Sequence, residues 1–291
     1  MIWLLLSILF SSLLMIIFIF FKKYEVNTFY AIVVNYLVCV LVALNFSFDY
    51  PWSAYTTGWL PWAVLLGMFF ISLFFLIART AQTMGASVTS VSMKLGYIFP
   101  IIIAFTYYNE SITAIKIIGI FLTILAVILT SFKKEKDSKK IDFKLLIFPL
   151  IIFLGSGFAD SVVQGVNNNY FQNGGNEMFV LVTFMSAFTF GFIAALVKMI
   201  KEKTNHFNKK TIIAGIILGV PNYFSIYMLF QALSVDLWED SFVFPVNNIG
   251  IVVLSTLLAL IIFKEKLNKY NILGLAMAIT SIILLNLKYL S

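Results

Sequence analysis

The stretch that decides the fold is residues 86–129, which read ASVTSVSMKLGYIFPIIIAFTYYNESITAIKIIGIFLTILAVIL. Slid forward by 155 positions, it aligns with residues 241–284, which read SFVFPVNNIGIVVLSTLLALIIFKEKLNKYNILGLAMAITSIIL. Nine positions are identical in this register, and they include Glu110 with Glu265 and Gly119 with Gly274. Ile, Leu and Val match easily by chance in an apolar chain, but the glutamate and the glycine are nine residues apart in both copies. This internal repeat indicates a duplicated membrane hairpin, and weak internal symmetry of this kind is typical of transporters.

The composition excludes an ordinary soluble domain. Of the 291 residues, 61% are hydrophobic and 11% are charged, whereas a soluble domain carries roughly 25% charged residues. The net charge of +7 comes from lysines in short segments between apolar runs, which are membrane-topology signals rather than a nucleic-acid surface. The expected partners are therefore the lipid bilayer and a small-molecule substrate, with no nucleic acid, in a monomer or homodimer. The single cysteine, Cys39, lies in an apolar run and is expected to be a small buried hydrophobe.

Apolar runs of the length needed to cross a bilayer recur along the whole chain. A hydrocarbon core about 30 Å thick needs roughly 20 residues of helix, because the backbone must satisfy its own hydrogen bonds there. This length predicts an all-α integral membrane protein with ten transmembrane helices. The predicted spans are residues 2–21, 28–46, 60–78, 86–107, 112–131, 145–166, 178–197, 211–231, 242–263 and 270–287.

The chain divides at its most polar connection, the run KKEKDSKK at residues 133–140. The predicted organisation is a first five-helix half over residues 1–132, a basic cytoplasmic linker over 133–144 and a second five-helix half over 145–291. Because five is odd, the second half enters the membrane from the side opposite to the first. The two halves are therefore expected to be inverted repeats, related by an axis in the membrane plane.

The basic residues indicate the orientation of the chain. One set of loops holds nearly all the lysines, and the alternate set holds Lys116 and Lys288 together with most of the acidic residues. Since basic loops stay in the cytoplasm, both termini are predicted to lie outside a plasma (inner) membrane.

Ten spans in two five-helix halves, with the repeated hairpin and its glutamate–glycine spacing, resemble the drug/metabolite transporter superfamily, specifically its EamA-type ten-helix members. The resemblance covers the whole chain, but its motifs say little about the substrate. The first span departs from the family pattern, since it has Phe10-Ser11-Ser12 where many relatives carry a Trp-Gly-Ser-like sequence. Many relatives also have both termini in the cytoplasm, against the distribution of lysines in this chain.

Two ionisable residues lie at membrane depth, where a charge is costly unless it is paired or faces a cavity. Lys94 is about 12 Å into the fourth span at 1.5 Å per residue. Its ammonium either snorkels to the inner surface along its long stem or faces a central cavity. Asp160 lies deeper in the sixth span and its short side chain snorkels poorly, so it is a candidate to bind a proton or a cationic substrate group. Their backbones differ in depth by roughly 6 to 10 Å, which leaves open a direct ion pair or a zwitterionic substrate between them.

Further polar side chains within the spans are candidate substrate contacts. In the family that the chain resembles, the cavity is lined by the first, third, fourth, sixth, eighth and ninth spans. Amide side chains are costly to bury, and Asn247 and Asn248 occupy the repeat position of Ser92 and Met93, close to Lys94. The predicted substrate-binding residues, beside Lys94 and Asp160, are Asn247, Asn248, Gln164, Tyr97, Tyr227 and Asn222, with Asp160 as the proton-coupling candidate.

Other features predict local structure. Pro100, Pro221 and Pro245 interrupt spans and are either hinges or tolerated bends. Glu110 and Glu265 each stand just before a span, where a carboxylate is expected to cap the helix that follows and interact with its dipole.

Three functions fit the sequence to different degrees. The first is a secondary carrier that moves a small organic metabolite or drug by alternating access, coupled to protons or acting by facilitated exchange. The second is a scaffold or lipid-handling subunit, which would not need polar residues to converge at depth. The third is an intramembrane enzyme, but His206 is remote from the serine of Gly155-Ser156-Gly157, and neither a metal cluster nor a cofactor motif is present in the sequence. No enzymatic activity, metal or cofactor is therefore expected.

Overall fold

The computed structural model of the chain is all-helical. It describes residues 2–47, 58–99, 102–103, 113–131, 143–170, 176–204, 206–233 and 240–285. These residues form ten helices of ten residues or more: α1 (Ile2–Lys23), α2 (Thr28–Ser47), α3 (Leu60–Met84), α4 (Ala86–Leu95), α5 (Ala114–Ser131), α6 (Phe143–Tyr170), α7 (Asn176–Glu202), α8 (Lys209–Leu233), α9 (Asp240–Phe263) and α10 (Lys269–Leu285). Residues 133–142 of the predicted linker lie outside the described residues, as do Glu110 and Pro100, whereas residues 143 and 144 belong to α6.

The helices have the dimensions and surface of a multi-pass membrane protein. Within the described residues, seven helices are long and apolar enough to cross a bilayer: α1, α2, α3, α6, α7, α8 and α9. Large apolar side chains are exposed on their outer faces, for example Ile147, Leu154 and Phe158 on α6. Such a surface is stable only in contact with lipid hydrocarbon. The predicted class, an all-α integral membrane protein, is confirmed.

The fourth span differs from the prediction of one helix over residues 86–107. Helix α4 ends at Leu95, Gly96 and Tyr97 form a turn, and helical backbone resumes at residues 98–99 and 102–103. The break coincides with a close approach between backbones, because a β-carbon on Gly96 would lie 2.7 Å from the nitrogen of Gly157 on α6. By contrast, Pro221 and Pro245 lie within continuous helices.

A substitution at Gly157 tests how tightly α4 and α6 pack against each other. A β-carbon on Gly157 would overlap the ring of Phe99 and lie 2.8 Å from the carbonyl oxygen of Gly96. Since overpacking of this kind costs about 1–3 kcal/mol, Gly157→Ala is expected to lower the midpoint of thermal unfolding of the purified protein. The matched control is Gly165→Ala on the same helix, where an added β-carbon meets nothing within 4 Å. Equal midpoints for the two variants would contradict the close packing.

One end of the bundle collects the basic connections. Helices α1, α3, α7 and α9 finish there, and Lys22 Nζ of α1 donates to the carbonyl oxygen of Gln82 on α3 at 2.8 Å. The rings of Phe20 and Phe263, near the ends of α1 and α9, are 4.9 Å apart. We call this end the basic end, because its helix termini and loops carry Lys22, Lys23, Lys201, Lys203, Lys209, Lys210, Lys264, Lys266 and Lys269.

Candidate functional site

The contact between α4 and α6 sets the relative positions of Lys94 and Asp160. Both helices run away from the basic end, and Gly96 abuts Gly157. Lys94 precedes this contact by two residues and Asp160 follows it by three. At 1.5 Å per residue their backbones differ in depth by about 7 Å, with Asp160 farther from the basic end. The two charges are therefore offset along the bundle.

Asp160 faces the interior of the bundle and is nevertheless exposed. The lipid-facing stripe of α6 passes through Ile147, Leu154 and Phe158. At 100° per residue, Asp160 lies on the opposite side of the helix, in line with the buried residues Phe153 and Ser156. The described side chains leave Asp160 exposed on this interior face. Asp160 is therefore a candidate to contact a polar ligand between the helices.

Lys94 lies in the last turn of α4 and is partly exposed. The unpaired carbonyl groups at the C-terminus of a helix favour a cation there by about 0.3–1 kcal/mol. No direct ion pair joins Lys94 to Asp160 in the described part of the chain. The break in α4 thus gives the lysine a favourable position at membrane depth, and its ammonium is not neutralised by a direct contact with the carboxylate.

Helix α9 brings two amides to nearly the same depth as Asp160. Since Gly96 and Gly157 lie at the same depth, Asp160 is about 21 Å from Gly85 at the basic end, at 1.5 Å per residue. By the same rise, Asn247 and Asn248 are about 23 Å from Phe263, where α9 ends. Asn247 is 2% exposed and Asn248 is 6% exposed. Among the described residues, none donates a hydrogen bond to Asn247 Oδ1, and none pairs with Ser156 Oγ on α6. Buried polar atoms of this kind are costly to leave unpaired, so both are candidate contacts for a polar ligand.

An aromatic cluster on α1 and α8 lies at a similar depth. The rings of Tyr223 and Tyr227 stack with centroids 5.8 Å apart, and Phe224 is 5.8 Å from Phe10 on α1. Ser7 Oγ donates to the carbonyl oxygen of Ser225 at 2.9 Å, which fixes the register of α1 and α8. The predicted residue Tyr227 is thus part of an aromatic wall.

Two more predicted residues have defined positions in the backbone. Tyr97 follows Lys94 in the turn that breaks the fourth span, and its side chain is partly exposed. Gln164 lies one turn after Asp160 on α6, and its side chain is not among those that the structure describes.

Asn222 lies in a helix contact away from this group. It is buried on α8 and donates from Nδ2 to Asn35 Oδ1 on α2 at 3.1 Å. Its second contact is to Cys39 Sγ at 3.5 Å, and Cys39 is fully buried. This cluster joins α2 to α8, so we leave Asn222 out of the proposed binding set. Asn35 was not singled out from the sequence, although an amide within an apolar run was the available signal.

Comparison with known proteins identifies the second half of the chain. Residues 150–287 match the EamA-like transporter family, which belongs to the drug/metabolite transporter superfamily. An uncharacterised protein of Haemophilus influenzae is 25% identical over 222 residues, which are 76% of this chain and 74% of that protein. A solved crystal structure of a protein superposes with a TM-score of 0.62 and 15% identity, covering 100% of this chain and 98% of the other. This last likeness shows a shared fold over the whole chain.

The family match and the helices agree. The matched region contains α7, α8, α9 and α10 and most of α6, including Asp160 and the two amides of α9. The EamA family consists of transporters rather than enzymes. The predicted resemblance is confirmed over residues 150–287, and the chain is a multi-pass membrane protein whose second half is similar to EamA-like transporters of the drug/metabolite type.

Proposed function

We propose that the chain is a secondary carrier that moves a small organic metabolite or drug across the plasma membrane by alternating access. The observation that carries this proposal is the exposure of Asp160 on the interior face of α6, about 21 Å from the basic end. The free-energy cost of a carboxylate at that depth is offset only by a water-filled cavity, a charged partner or a bound ligand. A cavity with an acid, a base and two amides at mid-depth is what a carrier for a polar solute needs.

We infer that the two halves, residues 1–132 and 145–291 with the linker at 133–144, are inverted repeats. Three helix pairs support this: α5 packs on α10, α4 on α9 and α2 on α7. Each pair joins equivalent helices of the two halves, as a two-fold axis requires. Two of these pairs are antiparallel. Thr123 and Thr130 of α5 contact Ser281 and Asn271 of α10 in reverse order, and Gly85 at the start of α4 contacts Glu265 just after the end of α9. An axis in the membrane plane produces this inversion.

In this proposal Lys94 and Asp160 hold opposite ends of the substrate's polar part. Their depth difference of about 7 Å leaves room for a zwitterionic group between the ammonium and the carboxylate. Asn247, Asn248 and Gln164 supply hydrogen bonds, and Tyr97 and Tyr227 line the space with Ser156. Asp160 is also the group that couples transport to protons, because it is the carboxylate that borders the cavity in the described part of the chain.

Reconstitution tests the proposal. A thermal-shift screen of the purified protein against metabolites selects ligands, because a molecule that binds only the folded state raises its apparent stability. Uptake of the selected ligands into proteoliposomes should saturate and should be accelerated by unlabelled substrate on the opposite side. A scaffold or lipid-handling subunit would give neither saturable uptake nor exchange, and that result would overturn the carrier proposal.

We also propose that the basic end faces the cytoplasm and that both termini lie outside. Thr204 is exposed at the basic end, and Asn169 is exposed near the opposite end of α6. In a Cys39→Ser background, Asn169→Cys is expected to react with a membrane-impermeant thiol reagent in whole cells, whereas Thr204→Cys should react only in inverted vesicles. The reverse pattern would show that the distribution of lysines does not set the topology of this chain.

A further inference from the structure

Glu265, the copy of the repeated glutamate in the second half of the chain, points across the bundle towards the first half. Lys264 has a φ of 51°, and the Glu265 N–H donates to the carbonyl oxygen of Ala259 at 3.3 Å. This bond reaches back six positions past the positive-φ residue Lys264 and pairs one of the carbonyl groups in the last turns of α9. The turn directs Glu265 towards the junction of α3 and α4.

The carboxylate of Glu265 lies at the N-terminus of α4. Gly85 is the N-cap residue of this helix and makes no side-chain capping hydrogen bond. A β-carbon on Gly85 would overlap Glu265 Oε1 and lie 2.6 Å from Cδ. Glu265 therefore fills the space of the side chain that residue 85 lacks. Since the first turn of a helix presents unpaired N–H groups and a partial positive charge, a carboxylate there stabilises the junction.

This contact corrects the expectation that Glu265 caps the helix that follows it. The first turn of α10 is capped by its own asparagines: the Asn271 N–H donates to Asn268 Oδ1 at 2.9 Å, and the Asn268 N–H donates to Asn271 Oδ1 at 3.0 Å. With this reciprocal cap in place, the Glu265 carboxylate instead joins the second half of the chain to the first.

Other contacts close the same end of the bundle. Gln82 Nε2 donates to the carbonyl oxygen of Phe18 at 3.0 Å and to Thr28 Oγ1 at 2.8 Å. Together with the Lys22 bond to Gln82, these contacts tie α1, α2 and α3 together within the first half. Glu265 adds a link between α9 and α4, which belong to different halves. A link between the halves is the kind that must break when they move relative to each other.

We propose that Glu265 is the latch of the basic end: its carboxylate caps α4 while this end is closed and leaves Gly85 when it opens. The proposal rests on the proposed carrier function, in which the basic end opens once in each cycle. Removing the charge should weaken the closed state and shift the population towards the state that is open at the basic end.

Cysteine accessibility tests the latch without a substrate. The reporter is a cysteine at position 93, introduced as Met93→Cys in a Cys39→Ser background so that it is the single thiol. Met93 is partly buried on α4, next to Lys94. A charged, impermeant methanethiosulfonate reagent is applied to membranes from the side on which Thr204→Cys reacts. Adding Glu265→Gln is expected to raise the labelling rate at position 93 about tenfold. Glu202→Gln is the matched control, because Glu202 contacts Lys198 and His206 at the same end of the bundle. It should leave the rate at that of the parent.

A second variant keeps the test decisive if Glu265→Gln does not fold. Glu265→Asp keeps the charge but shortens the side chain by one methylene, so the carboxylate should no longer reach Gly85 and labelling should rise from the same side. An unchanged rate in a folded Glu265→Gln or Glu265→Asp protein would overturn the proposal, as would an equal rise with Glu202→Gln. Because labelling needs no transport, failure of the carrier proposal would appear separately, as absent uptake by the parent protein.

Discussion

Replacing Asp160 with asparagine is expected to reduce pH-driven accumulation of substrate in proteoliposomes by about tenfold or more, while counterflow exchange remains measurable. The substitution keeps the shape of the side chain and removes the titratable charge. If the carboxylate carries the coupling proton, the variant still binds substrate and changes conformation, but the proton gradient no longer drives it. The measurement compares accumulation under an imposed pH gradient with exchange at equal pH on both sides.

The outcomes of this experiment separate the two roles of Asp160. Loss of both accumulation and exchange would mean that the carboxylate binds a cationic group of the substrate rather than a coupling proton. Unchanged accumulation across pH would remove Asp160 from the site altogether. Glu202→Gln is the matched control for the loss of one carboxylate, because Glu202 is exposed at the basic end. It should behave as the parent protein does.

Lys94→Met is expected to weaken binding of a substrate that carries an anionic group by about thirtyfold, since removing one partner of a desolvated charge pair costs about 2 kcal/mol or more. Methionine retains much of the apolar stem of lysine and removes the ammonium. The effect should appear in the apparent KM for uptake, and in the ligand concentration needed for half of the thermal shift.

A lysine that only snorkels to the surface would give a different result. In that case Lys94→Met would leave affinity unchanged. Its effect would be limited to the loss of about 0.3–1 kcal/mol of favourable interaction with the end of α4. Lys94→Arg keeps the charge and should preserve most of the affinity if the cation contacts the substrate. Wild-type affinity in both variants would contradict the assignment of Lys94 to the binding site.

The helices were predictable from the sequence because hydrocarbon imposes one dominant rule. A helix must be apolar over the thickness of the bilayer, so runs such as residues 2–21 and 178–197 were recognisable without any knowledge of their contacts. The structure extends several of them at the basic end, for example α3 to Met84 and α7 to Glu202. There the sequence is more polar, and water or neighbouring helices satisfy the side chains, as Phe18 and Thr28 do for Gln82.

The features that the sequence did not predict depend on contacts between distant segments. The break after Leu95 arises where Gly96 meets Gly157, and a glycine alone does not tell which backbone approaches it. Asn222 pairs with Asn35, 187 residues away. Periodicity places a side chain on a face of a helix but does not identify its neighbour.

Glu265 shows the same limit in a single residue. The spacing of the repeated glutamate and glycine placed it correctly just before α10. Its carboxylate contacts α4 instead. The sequence could not show this contact, because it depends on which helix of the first half packs against the α9–α10 loop.

The central claim is that Asp160 borders an aqueous cavity inside the bundle, and Phe158 provides the sharpest comparison. Both residues are exposed in the structure and are two positions apart on α6, but Phe158 lies on the lipid-facing stripe. In intact membranes, with Cys39→Ser as background, Asp160→Cys is predicted to react with an impermeant thiol reagent, because a thiol reacts as thiolate in water. Phe158→Cys should be unreactive because lipid covers it. Reaction at position 158 without reaction at position 160 would contradict the account.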